Sequence, residues 1–492
     1  MSTLLARPAP GSVRSINPWA VFGLAAVAQF MVVLDASIVN VALPSVQRGL
    51  HFSLADLSWV VNIYVLMFGG FLLLGGRAGD LFGRRRLFFA GLILFSLASL
   101  FGGLAQSPTW LIIARGAQGL GGAIISPISL AIVTGTFDEG PERNRALGIF
   151  GSIAGAAGAF GVLMGGILTS SFGWQWVFYV NVPIGLAAAA LSPMLIPADH
   201  GSDERRGFDL AGAITVTAGL VLLVYGLVEA PNKGWGSAST LGFMAGAAIL
   251  LAAFIAIELR SRDPLVRLGI FRIRSLSVTN VSGLLAGAAM FAMFYFISLY
   301  LQEVLGYSPL KTGFAYLPLA FGIILSAGGA SVLVTRFGFK PILAGGLILA
   351  GLGLFWLTQI RVDGTYLQDV LPPSLAIAFG LGLTFVPLTI AAVQGVERSE
   401  IGLASGLINT SLQVGGALGL AILSTISTSR FNDLLASHHN PSSALVGGFH
   451  YAFFAGGIFM LVGAALVLLL LGNTRVEGTS LPAGAMPLEP LE

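Results

Sequence analysis

Fourteen long apolar runs, each closed by a short polar or glycine- and proline-bearing stretch, set the rhythm of the chain. They fall at about 18–42, 57–76, 87–105, 109–134, 146–170, 175–196, 210–229, 240–259, 277–302, 313–334, 341–360, 372–394, 402–427 and 449–472. Uninterrupted runs of this length with almost no charge predict spanning helices, because about 20 helical residues cross a ~30 Å hydrocarbon core. The first run follows Arg7 and Arg14, but it is too long for the apolar segment of a signal peptide. It also carries Asp35 and Asn40 and meets no small-residue cleavage site, so it is read as a span. The expectation is an all-α polytopic membrane protein with 14 transmembrane helices.

Composition agrees and narrows the classes. Of 492 residues, 55% are hydrophobic and only 10% charged, with a mean hydropathy of +0.88. That leaves too little polar surface to cover a water-soluble globule. There is no cysteine, hence no disulfide, zinc-thiolate site or thiol nucleophile. The five histidines fall in loops or at a helix end, and the His438–His439 pair reads as a solvated loop; no metal and no cofactor are expected. The net charge of +3 reflects loop bias in a membrane protein, not nucleic-acid binding. Arginine outnumbers lysine 22 to 3, which suggests a GC-rich genome of the actinobacterial kind.

Charge also predicts orientation. With the N-terminus inside, the inner loops and termini hold 19 Lys and Arg, the outer loops hold five (Arg48, Lys233, Lys311, Arg361, Arg430), and Arg115 falls within a span. This asymmetry predicts cytoplasmic termini on a multi-pass plasma-membrane protein. A repeat predicts the architecture. DLFGRR (80–85) after the second run and TRFGFK (335–340) after the tenth align Gly83 with Gly338 and Arg85 with Lys340. The expected layout is 6+2+6: a tail 1–17, a six-helix half 18–196, an inserted pair with its flanking loops 197–276, a second half 277–472 and a tail 473–492. Parallel halves of this kind place a substrate path between them near the midplane.

Within the spans, Asp35 is the only carboxylate well inside, and Arg115 the only deep base. Each alone costs about 2.5–3.5 kcal/mol to insert, so a partner or a wet cavity is expected. Counting residues back from the predicted helix ends puts both roughly 10 Å below the same surface. A carboxylate there can exchange a proton while the guanidinium sets its affinity; a static ion pair is the bland alternative. Asp80, near Arg84, Arg85, Arg86 and Arg145, can form a breakable network at the inner face or a topological anchor. On the ninth run, Phe291, Phe294, Tyr295 and Ser298 share a face beside Met290 and Met293, a flexible wall suited to varied apolar ligands or to plain packing. Asn40, Asn409 and Gln413 are polar groups in spans that line a path or bridge helices.

Several segments together resemble one family. GRAGDLFGRRR (76–86), through Gly76, Asp80, Gly83, Arg84 and Arg85, is similar to the signature loop of the major facilitator superfamily. LIIARGAQGLGGA (111–123) resembles its fourth-helix motif through Arg115, Gln118, Gly119 and Gly121. LDASIVNVALP (34–44), WQWVFYVNVPIG (174–185), LYLQEVLGYSPLKTGFAYLP (299–318) and GLASGLINTSLQVGGALG (402–419) look like segments of its fourteen-helix drug:proton antiporters. The resemblance implies the major facilitator fold and a proton-coupled exporter of hydrophobic drugs, antibiotics or secondary metabolites. Asp35 and Arg115 would then couple protons, and the 76–86 motif would gate. The helix-five motif departs from the family. Gly158 and Gly161-Val162-Leu163-Met164-Gly165-Gly166 keep the glycines but place Val162 where proline is usual, and Leu81 replaces a usual basic residue.

The implied partners are an apolar small molecule, protons and the bilayer, with no nucleic acid, in a monomer. A nucleotide-driven pump is disfavoured, since the chain has no Gly-x-x-x-x-Gly-Lys-Ser/Thr. An importer or facilitator of a small polar solute would want more polar groups in the spans. A membrane enzyme would want clustered His, Asp or Glu at one face, which the chain does not offer.

Overall fold

A computed structural model of the chain describes residues 17–137, 141–197, 209–396 and 401–472. Its long helices, in chain order, are α1 Pro18–Leu50, α2 Trp59–Phe82, α3 Arg84–Gly103, α4 Pro108–Thr136, α5 Pro141–Phe172, α6 Asn181–Leu195 and α7 Leu210–Lys233. They continue with α8 Ala238–Arg260, α9 Arg274–Leu299, α10 Pro309–Phe337, α11 Phe339–Leu357, α12 Leu371–Val393, α13 Ile401–Ala436 and α14 Pro441–Leu470. Short turns at Leu54–Leu57 and Trp176–Tyr179 lead into α2 and α6. Among the described residues, 13 helices are long and apolar enough to cross a membrane; α5, whose described apolar part is Phe160–Phe172, is the other long one.

Helix starts follow a local rule legible in the sequence. Asn17-Pro18, Ser107-Pro108, Ser308-Pro309 and Asn440-Pro441 each place a side-chain acceptor at the cap and proline in the first turn. The cap side chain satisfies a backbone N–H that the helix leaves free, and proline lacks the N–H that would be orphaned anyway. The repeat at 80–85 and 335–340 is a matched pair of helix breaks. Gly83 (φ 94°) separates α2 from α3, and Gly338 (φ 82°) separates α10 from α11. A side chain at either φ would be strained, so one glycine suffices to turn the chain between consecutive helices.

Packing repeats as well. The pairs α1·α5, α2·α4, α3·α4, α3·α6, α1·α6 and α1·α4 recur as α9·α13, α10·α12, α11·α12, α11·α14, α9·α14 and α9·α12, each helix number raised by eight. Between these groups, α2 lies on α13 and α5 on α10. The α7–α8 hairpin stands outside: α7 touches α2 and α13, whereas α8 packs on α7 alone and is largely uncovered. Its outward Ile249 and Leu259 are 68% and 70% exposed, as lipid-facing residues are. Away from the Gly83/Gly338 face, the two groups are joined by Arg48–Glu303 (2.8 Å), by Gln302 Nε2 donating to the Val41 carbonyl (2.9 Å), and by Leu310 N donating to Ser170 Oγ (3.0 Å).

Several boundaries differ from the sequence pattern. The first helix runs on from 42 to Leu50, the thirteenth from 427 to Ala436, and the fourteenth begins at Pro441 instead of 449. Polar residues such as Gln47, Arg48 and Asp433 closed the apolar runs, yet a helix continues past the hydrocarbon wherever its backbone bonds are made internally. Asp80 lies within α2 and Arg84 opens α3, so the expected loop reduces to Gly83.

Candidate functional site

The deepest polar cluster is built by α1, α2, α3, α4 and α6. Asp35 of α1 is fully buried and its carboxylate accepts three side-chain bonds. Arg115 Nη1 of α4 reaches Oδ2 at 2.5 Å, while Gln118 Nε2 of α4 and Asn181 Nδ2 of α6 each reach Oδ1 at 2.8 Å. Arg115 and Gln118 share a face because three residues bring side chains together on a helix, and Arg115 Nη1 also donates to Gln118 Oε1 (2.9 Å). Arg115 Nε donates to the Val60 carbonyl of α2 at 3.0 Å, and the guanidinium sits 4.2 Å from the Tyr64 ring centroid. Ser99 of α3 ties the donors together: its Oγ accepts from Gln118 (3.0 Å) and Asn181 (3.1 Å) and donates to the Phe178 carbonyl (2.8 Å). Arg115 is 1% exposed, and Gln118, Ser99 and Asn181 are fully buried.

Both Asp35 oxygens are therefore occupied as acceptors. Three of the carboxylate's roughly four acceptor positions are filled, by donors from two helices, α4 and α6.

Glycines let the backbones come close enough. A Cβ on Gly161 would sit 2.9 Å from the Leu34 carbonyl oxygen, and one on Gly165 would sit 2.6 Å from that of Ile38, so α5 presses on α1 beside Asp35. Gly166 meets Pro309 of α10 instead, at 2.6 Å, and Gly158 faces open space. Gly119 and Gly121 admit the backbones of Tyr64 and Phe95 against α4. The helix continues through Gly161–Gly166 with Val162 buried, so the missing proline leaves no break.

The remaining expected residues are distributed differently. Gly76 packs on Pro127, Arg84 Nη1 donates to the Ala131 carbonyl (3.2 Å), and Arg85 Nη1 reaches that of Ile196 (3.5 Å). The side chains of Asp80 and Arg145 lie outside the described residues. On α9, Phe291 packs under Gly416, Phe294 tilts against Tyr316 at 5.5 Å, and Ser298 Oγ bonds to Tyr316 Oη at 2.9 Å. Tyr295 lines a small, partly open cavity of about 20 Å³ with Phe296, Ser424, Ser427, Phe431 and Phe449. Asn40 is spent on its own helix, donating to the Ala36 carbonyl (3.2 Å); Gln413 faces Gly69 of α2, and Asn409 is exposed. Sequence reasoning missed Asn181 as a partner of Asp35, Ser99 as the acceptor that ties its donors together, and Tyr64 as the ring under Arg115. The one available signal was an asparagine, Asn181, inside the apolar stretch WVFYVNVPIG.

A membrane-spanning bundle of two pseudo-repeated helix sets around a buried acid–arginine network defines a class of secondary transporters. The family model of the Major Facilitator Superfamily matches residues 25–420, and the chain belongs to that superfamily. It is 38% identical to the puromycin resistance protein pur8 of Streptomyces alboniger over 473 residues, covering 94% of this chain and 93% of the relative. It is 39% identical to the cephamycin export protein CmcT of Amycolatopsis lactamdurans over 475 residues, 95% of each chain. The fold is shared with an auto-inhibited peptide transporter of the POT family at a TM-score of 0.69 and 15% identity, covering 95% of this chain and 98% of that one.

Proposed function

We propose that the chain is a proton-driven exporter of hydrophobic small molecules, antibiotics or related metabolites, working by alternating access. The carrying observation is Asp35, a fully buried acid whose three side-chain donors come from two other helices. Relatives named for puromycin resistance and cephamycin export support the cargo class and the outward direction. Segments 18–196 and 277–472 are the two moving halves, and 197–276 is an inserted pair. The Lys/Arg-rich Gly83/Gly338 face is the cytoplasmic one, with both termini there and the protein acting as a monomer in the plasma membrane.

Asp35 is the proton carrier. Arg115, with Gln118 from the fourth-helix motif, holds its ionised form in the present arrangement, and withdrawal of these donors opens it to a proton. Gly119, Gly121, Gly161, Gly165 and Gly166 keep α4 and α5 close enough for that exchange to move helices. Gly76, Asp80, Gly83, Arg84 and Arg85 form the cytoplasmic gate. Asn40, Phe291, Phe294, Tyr295, Asn409 and Gln413 border the substrate path. Substrate-induced proton release from reconstituted protein tests the reading, with cationic, neutral and anionic compounds as cargo. Wild type should release protons on binding at least one class, and Asp35→Asn should release none. Equal release by wild type and Asp35→Asn would refute it.

A further inference from the structure

A second pair of buried acids lies far from Asp35, where the α7–α8 hairpin reaches the Gly83/Gly338 face. Asp209 caps α7 and Glu258 lies in the last turn of α8; they are 8% and 4% exposed. Each has one oxygen committed to backbone: Asp209 Oδ1 accepts from Gly212 N at 2.7 Å, and Glu258 Oε2 from Val266 N at 3.1 Å. The other two oxygens, Asp209 Oδ2 and Glu258 Oε1, are buried without a hydrogen-bond partner. They converge on one point. A Cβ on Gly212 would lie 2.8 Å from Asp209 Oδ2 and 2.9 Å from Glu258 Oε1, so, those reaches laid end to end, the oxygens are at most 5.7 Å apart.

Among the described residues, positive charge nearby is already engaged. Arg77 of α2 pairs with Asp263 (3.4 Å) and donates to the Pro264 carbonyl (3.1 Å) in the segment after α8. Arg260, Arg262 and Arg267 of α8 and that segment are turned to the surface. The other neighbour of α7, α13, carries charge only at its opposite end, at Arg430 and Asp433. Two carboxylates buried this close, each with an acceptor oxygen left unpartnered, are relieved when a proton is bound between them.

We propose that Asp209 and Glu258 form a proton-binding site at the base of the α7–α8 hairpin, with the proton on Glu258. The bound proton lets the start of α7, the end of α8 and the 261–266 segment stay together. That segment is the one clamped to α2 through Arg77, so losing the proton loosens the hairpin's hold on α2 beside Gly76 and Gly83. The site is separate from Asp35 and stands whether or not Asp35 carries the coupled proton.

Infrared difference spectra against pH, taken on the full chain in lipid nanodiscs, test this directly. Wild type should show a deuterium-sensitive carbonyl band of a protonated carboxyl that disappears as pH rises. Glu258→Gln should remove that band and Asp35→Asn should leave it in place. Asp209→Asn should move its midpoint to lower pH by at least tenfold in proton concentration, because the repelling neighbour is gone. Should Glu258→Gln fail to fold, the Asp209→Asn shift decides alone. A band surviving Glu258→Gln, a midpoint indifferent to Asp209→Asn, or a band erased by sodium, potassium or magnesium at fixed pH would each overturn the proposal, the last by assigning the pair to a metal cation.

Discussion

Asn181→Ala separates what holds the Asp35 network together from what tunes it. The amide nitrogen gives Asp35 Oδ1 one of its three side-chain hydrogen bonds, at 2.8 Å in a fully buried setting. A bond to a charged group there contributes about 1.5–3 kcal/mol, and it favours only the ionised carboxylate. Losing it removes a bond that favours the ionised carboxylate, so, on the proposed coupling through Asp35, the pH profile of transport should move to higher pH. Folding should suffer much less. Asn181 Oδ1 is buried with no partner, and deleting it relieves a penalty of about 1–3 kcal/mol that offsets the lost bonds. Ser99→Ala is the control, since Ser99 receives bonds from Gln118 and Asn181 but none links it to Asp35; its midpoint shift should be under half as large. Drug exit from proteoliposomes, followed across pH, gives the midpoint, and thermal unfolding of the same preparations gives stability. An unchanged pH profile in Asn181→Ala, or stability lowered by more than about 3 kcal/mol, would refute the reasoning.

Four further variants test the backbone. Gly165→Val should cut the yield of folded protein on size-exclusion chromatography severalfold, because its Cβ would sit 2.6 Å from the Ile38 carbonyl; Gly158→Ala should match or slightly exceed wild type, its Cβ meeting nothing within 4 Å. Gly83→Ala and Gly338→Ala should each lower stability by about 1–3 kcal/mol in thermal unfolding, and by similar amounts, since both replace glycine at a positive φ between two helices.

What the sequence disclosed followed signal strength. Asp35 and Arg115 stood out because a charge in an apolar run is costly and therefore rare, and a pair at common depth was the expected remedy. They do meet, although α1 runs to Leu50, 15 residues beyond Asp35, and Arg115 lies only seven from the start of α4. The helix ends are staggered, which an apolar run cannot register. Gly83 and Gly338 were readable as a repeat because a positive φ leaves few alternatives to glycine. Ser99 and Asn181 gave almost no signal, since uncharged polar residues cost little in a span and no stripe shows which way they face. The Asp209–Glu258 pair was hidden for another reason: acids near helix ends read as interface residues, and only the fold closes a segment over them.

The helix pairings raised by eight make the two sets mechanical equivalents, yet their chemistry is unequal. The first set buries Asp35 and Arg115; in α9 to α14 no described charged residue lies deeper than about two turns from a helix end, and the described cavity there is lined by phenylalanine, tyrosine and serine. A duplicated frame with divided duties can evolve on two clocks. On the proposed roles, the aromatic half can be recut for new molecular shapes, while the charged half, where each donor answers to another, changes only as a block.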